Sequence, residues 1–158
     1  MKGAVSMQWI DEGIDSILEK FSYEFYTVAP DENTVCPCVN YTTKQGDPSC
    51  KICLGVGYKI TIRKVEGARE GARSTFQNMS ARESSVSYVY YIKSKFQIKE
   101  KDIIVDEDIV AEIHRMDNRL SADRRNVFNK CLAVSKKSNV QLFLKNFKEI
   151  IIKNRKSV

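Results

Sequence analysis

The chain of 158 residues has little of what most enzymes and membrane proteins need. It contains one histidine, His114, and no apolar run that approaches the roughly 20 residues of a membrane helix. No glycine-rich phosphate loop follows a predicted strand, no nucleophile motif occurs, and no pair of acids has a defined pocket. These absences predict a protein that is not an enzyme and does not enter a membrane. The first residues also lack a secretion signal, so we expect a reducing cytoplasm and unpaired thiols.

Cysteine is the residue type whose placement stands out. Four of the five cysteines lie within 18 positions, in two close pairs: Cys36, Cys38, Cys50 and Cys53. Two pairs joined by a loop of about a dozen residues are a common way to bring four thiolates around Zn²⁺. Disulfides between the pairs, or a redox use of Cys50 and Cys53, are the alternatives. Because four thiolates leave no open coordination position, the spacing favours a structural zinc ion. We expect Cys131, in an apolar run, to be a buried thiol outside this site.

Charge is distributed unevenly along the chain. Residues 1–58 carry a net charge of −4, residues 59–118 contribute +1, and residues 119–158 carry +9. A basic region of this size suits phosphate groups or an acidic protein surface, although a solvated lysine-rich face is the simpler interpretation. Five arginines are the candidates for contact with a partner subunit or with DNA: Arg69, Arg73, Arg82, Arg124 and Arg125.

The hydrophobic pattern predicts a single domain, residues 1–158, that is mainly β with flanking helices. We expect an N-terminal helix over 5–22, a zinc-binding hook over 34–58, a flexible loop over 65–85, and a core over 86–152 with a C-terminal helix. Short alternating segments predict a small antiparallel β-barrel or sandwich. The predicted strands are 22–28, 58–63, 86–93, 96–98, 103–105, 109–116 and 127–134. The last helix should follow Asn139, with a strand over 149–153 as the alternative.

Two resemblances add to this reading. Cys50–Gly57 resembles the CxxCxGxG repeat in the zinc-binding region of J-domain cochaperones, which supports zinc at this segment. More broadly, the N-terminal helix, the CPC and GDPSCKICLGVG segments, the short strands around IKEKDIIVDEDIVAEIHRM and the late LFLKNF segment resemble small neck proteins of tailed bacteriophages.

The second resemblance implies a virion structural protein of the head-closure or head–tail connector type. Such a protein is made in the bacterial host cytoplasm and assembles as a homo-oligomeric ring beneath the portal. Its expected partners are portal or adaptor proteins and tail proteins, with possible non-specific contact with packaged DNA. A cytoplasmic zinc-ribbon module that binds nucleic acid or protein is the alternative function.

Overall fold

The computed structural model describes residues 16–70, 73–74, 86–118, 128–136 and 139–156. In this part of the chain, residues 16–20 form a short helix, α1, and Val140–Lys156 form a second helix, α2. Seven strands lie between them: β1 Tyr23–Val35, β2 Tyr58–Arg69, β3 Arg73–Ser74, β4 Val86–Lys93, β5 Ile103–Asp106, β6 Ile109–Asn118 and β7 Phe128–Ser135. The expected mainly β fold with helices near both ends is therefore confirmed. Neither helix, over the residues described, is long and apolar enough to cross a membrane.

The strands form one antiparallel sheet that closes on itself. Its order is β2-β1-β5-β6-β7-β4, and β2 pairs with β4 as well as with β1, which completes a ring of six strands. The seventh strand, β3, pairs with β4 alone. Closure leaves no long free edge around the ring, and an unpaired edge is a common route to aggregation.

The centre of the ring is filled by one apolar cluster to which each of the six strands contributes. Its members are buried and lie at alternating strand positions: Phe25, Val65, Tyr90, Ile92, Ile104, Ala111, Ile113, Cys131 and Ala133. Cys131 is fully buried among them, as predicted, and this burial raises the pKa of its thiol to about 12. The thiol therefore behaves as a small apolar core group.

The loop predicted over residues 65–85 begins too early. Strand β2 continues to Arg69, and Arg73–Ser74 pair with β4, while 71–72 and 75–85 lie outside the described residues. Within this segment, the glycine at position 67 is required for close packing. A Cβ atom on Gly67 would overlap the carbonyl oxygen of Tyr91, on the strand that closes the ring. Gly67 therefore marks a close approach of two backbones.

Two further predictions from the pattern have clear outcomes. The strand predicted over 96–98 is wrong, since Phe96 and Ile98 pack against the central cluster from the loop between β4 and β5. Their alternating burial imitates a strand. The C-terminal helix is confirmed, and the strand alternative over 149–153 is not formed. Of the predicted N-terminal helix, residues 16–20 are helical, and 5–15 lie outside the described residues.

The first testable prediction concerns ring closure. Replacing Gly67 with Ala should lower the free energy of unfolding by about 3 kcal/mol, the upper end for overpacking, because backbone atoms must move to admit the methyl group. Thr61→Ser, at an exposed position of the same strand, should change it by less than about 0.5 kcal/mol. Denaturant unfolding measures both values. Equal stability of the two variants would contradict the close approach.

Candidate metal centre

The four clustered cysteines lie on the connection between β1 and β2, residues 36–57, which we call the hook. Both ends of the hook are held by the strand pair. Val35 pairs with Tyr58, and the backbone N–H of Cys36 donates to the carbonyl oxygen of Gly57 at 2.9 Å. Within the hook, Gly46 must lack a side chain, since a Cβ atom there would lie 2.6 Å from the nitrogen of Gly57. The two halves of the hook are thus pressed together.

The structure brings the four cysteine side chains into one cluster. Their sulfur atoms all lie within 4.8 Å of one another, and Cys36 and Cys53 are buried while Cys38 and Cys50 are half-buried. Two sulfur pairs are closest, Cys36 to Cys50 at 3.8 Å and Cys38 to Cys53 at 3.4 Å. A disulfide bond is about 2.05 Å long, whereas thiolates bound tetrahedrally at about 2.3 Å from one ion stand about 3.8 Å apart. The cluster could therefore hold a metal ion.

Backbone N–H groups in the hook converge on the second pair of cysteines. Those of Cys53 and Ile52 point to the sulfur of Cys50, and those of Gly57 and Gly55 point to the sulfur of Cys53. Burial alone would raise the pKa of the Cys50 thiol, but the two N–H donors, together with hydrogen bonds from the thiols of Cys38 and Cys53, outweigh it and lower the pKa to about 7. For Cys38, burial dominates and raises the pKa to about 12.

The four thiols form a site that could bind a cation as thiolates. Four thiolates at such short separations repel one another, so only a bound ion can keep all of them deprotonated. Metal binding therefore releases protons, and affinity for the metal should fall as the pH is lowered.

The hook is attached to the body of the protein by a buried leucine next to the metal site. Leu54, which follows Cys53, is 2% exposed and packs in a second apolar cluster, on the outside of the ring. The other buried members of this cluster come from β1, β5, β6 and α2: Val28, Ile103, Val105, Val110, Phe143, Leu144 and Phe147. A salt bridge of 2.8 Å between Lys51 and Glu149 joins the hook to α2 as well. The metal site thus borders the contact that holds α2 on the ring.

Of the five arginines predicted to contact a partner, two lie among the described residues. Arg69 lies at the end of β2, where its guanidinium is 3.8 Å from a carboxylate oxygen of Asp106 and 5.8 Å from the ring centre of Tyr88. These contacts are internal, and they hold the arginine against its own chain. Arg73 is in β3, and three of the predicted residues, Arg82, Arg124 and Arg125, lie outside the described residues. His114 is exposed on β6 and is not part of the cysteine cluster.

A buried carboxylate cluster was missed by the sequence reasoning. Asp106, 6% exposed, accepts hydrogen bonds at one oxygen from the hydroxyls of Tyr23 (2.6 Å) and Tyr90 (2.9 Å). Burial and the negative charge of Asp106 raise the pKa of both phenols far above the usual range. One oxygen of the Asp106 carboxylate thus accepts both tyrosine hydrogen bonds and lies near the guanidinium of Arg69. These hydrogen bonds connect β1, β4 and β5. Because the three residues are far apart in the sequence, no short motif predicts the contact.

Comparison with known proteins leaves the fold and the cysteine cluster as the basis for assigning a function. No family model matches the chain, and no curated protein matches it either.

The second testable prediction concerns metal content. The purified protein should contain about one metal ion per chain by elemental analysis, because the four sulfur atoms surround one position. Cys50→Ser should lose the ion, since it removes one of the four thiolates, whereas Cys131→Ser should retain it. Metal-free protein that carries two disulfides by mass spectrometry would contradict this assignment.

The third prediction concerns the attachment of the hook. Leu54→Ala should lower the free energy of unfolding by about 2–5 kcal/mol, because it opens a cavity between the hook and α2. The matched control is Ile52→Ala, two positions away and 65% exposed, which should change stability by less than about 0.5 kcal/mol. Similar effects of both variants, measured by thermal and denaturant unfolding, would mean that the hook is not anchored by Leu54.

Proposed function

We propose that the protein is a structural component of the neck of a tailed bacteriophage, forming a ring between the portal and the tail, with Zn²⁺ as a structural ion. The observation that carries the proposal is the geometry of the hook. Its four sulfur atoms surround one position, and Leu54 is buried in the apolar cluster that includes residues of α2. Such a site lacks an open position for a substrate, so it supports a bracing role.

Zinc is the ion that the donor set favours. Four cysteine sulfur atoms at near-tetrahedral separations suit Zn²⁺, which binds thiolates strongly and has no redox chemistry of its own. Magnesium and calcium prefer oxygen ligands. The converging N–H groups stabilise thiolate charge, as outer-shell donors do in other metal sites.

The closed ring of strands also suits a building block of a larger assembly. We interpret it as a small β-barrel, the architecture that the resemblance to neck proteins implies. A closed sheet with a continuous core is rigid and exposes little backbone for unwanted pairing. Asp106 accepts hydrogen bonds from two tyrosines, which argues against acid–base catalysis at that carboxylate. Surfaces, and not a pocket, would then perform the function.

One observation favours the alternative, a zinc-ribbon module that binds nucleic acid or protein. The hook exposes two large apolar side chains, Tyr41 at 97% and Ile52 at 65%. Exposed apolar groups on a metal-stabilised loop suit a partner surface. A binding module would act through the tip of the hook, whereas a neck subunit would act through contacts between copies.

The fourth prediction tests the ring directly. Metal-loaded protein should form a closed oligomer, seen by native mass spectrometry and electron microscopy. Reversing the charge of Arg124 and Arg125 to Glu should shift it towards monomer, because we assign this basic pair to a contact with the acidic N-terminal third of a neighbouring copy.

The control for this experiment reverses the charge of two exposed lysines of the described surface, Lys59→Glu with Lys99→Glu. This control variant should assemble normally. The neck assignment would be overturned if the protein stays monomeric at every concentration and does not bind portal or tail proteins. In that case, loss of partner binding on Tyr41→Ala would support the zinc-ribbon module.

A further inference from the structure

The outward face of α2 carries a row of basic side chains. Helix α2 contains five cations and one carboxylate, so its 17 residues account for +4 of the chain's formal net charge of +6. All five cations are exposed, and four of them, Lys145, Lys148, Arg155 and Lys156, lie along one side of the helix at intervals of three, seven and one residues. We call them the α2 basic row. The opposite side of the helix, with Phe143, Leu144 and Phe147, is buried against the ring.

The acidic group on this helix does not neutralise the row. Glu149 forms its salt bridge with Lys51 of the hook, and the nearby positive charges of Lys145 and Lys153 help to lower the pKa of the carboxyl further. A basic last turn is common because it complements the helix dipole. That explanation covers Arg155 and Lys156, but Lys145 and Lys148 lie in the first nine positions of the helix.

The row is also linear. From Lys145 to Lys156 the helix rises by about 16 Å, at about 1.5 Å per residue. A straight line of cations fits an extended polyanion better than a compact acidic patch. A second copy of the chain would offer a shorter line of negative charge. On the described surface, the turn of Glu107 and Asp108 has two adjacent exposed carboxylates. The row lacks aromatic side chains on which unpaired bases would stack.

We propose that the α2 basic row binds the phosphate backbone of double-stranded nucleic acid without sequence preference. Phosphate contacts carry no base information, and three of the four side chains are lysines, whose ammonium groups bind phosphate as point charges. The proposal goes beyond the neck assignment and does not depend on it, since a single chain displays the whole row. Because the hook holds α2 on the ring, the metal supports this surface indirectly.

The experiment uses the full-length, metal-loaded protein and a 30-base-pair DNA duplex of mixed sequence. Four phosphate contacts give a slope of about −3.6 for the logarithm of the binding constant against that of the salt concentration. Affinity should then fall about 100-fold between 50 and 200 mM salt. Lys145→Gln with Lys148→Gln should halve the slope to about −1.8, and glutamine preserves helix propensity.

The matched control is Lys59→Gln with Lys99→Gln, which removes the same charge from exposed positions outside α2. It should keep the slope of the unaltered protein. Equal losses for the two double variants would overturn the proposal, because the binding would then follow net charge and not the row. So would an absence of duplex binding at 50 mM salt. Salt-sensitive self-association that only the α2 variant abolishes, without DNA binding, would assign the row to an acidic surface of a second copy instead.

Discussion

The structure depends on the close approach of β2 to β4 at Gly67, where the absence of a side chain lets the two backbones pair. Without that contact the sheet would remain open, with unpaired edges at β2 and β4. The same strand pairs with β1 along nearly its whole length, out to Tyr58 at the base of the hook. One strand therefore joins the closure of the ring to the position of the metal site. A defect at either end of β2 would be transmitted along its pairing with β1, which is regular from Tyr23 to Asp31 and shifts register between Asp31 and Val35, beside the hook.

A second dependence runs from the metal to α2. The hook is a segment of 22 residues with two thiol pairs and little apolar surface of its own, so a bound metal ion would supply part of the free energy that orders it. Once ordered, the hook presents Leu54 to the cluster around Phe143 and Phe147, and Lys51 to Glu149. The helix is thus packed between the ring and the hook. Apolar burial holds it, since an exposed ion pair contributes at most about 1 kcal/mol.

Local features of the sequence predicted local features of the structure. The cysteine spacing, most of the strand alternation after residue 86 and the period of α2 each involve residues close together in the chain. They predicted the clustering of the four cysteines, the strands of that region apart from 96–98, and the C-terminal helix. The errors came from contacts between distant segments. Gly67 resembled a loop residue because its partner, Tyr91, is 24 positions away, and Phe96 resembled a strand residue because a loop buries it. Similarly, no single segment indicates that Asp106 meets Tyr23 and Tyr90, or that Leu54 meets α2.

The charged groups divide according to whether the fold already uses them. Asp106 with its tyrosines, and Lys93 between Glu19 and Glu66, are satisfied within the chain and serve to fix its elements. The cations of the α2 basic row outnumber the acids near them, and they face away from the core. An unbalanced surface of one sign attracts a partner of the other sign. Loss of a bound metal ion should therefore weaken this attraction only as far as α2 loosens, because the hook supports α2 through Leu54 and Lys51 and the cysteines are not part of the α2 basic row.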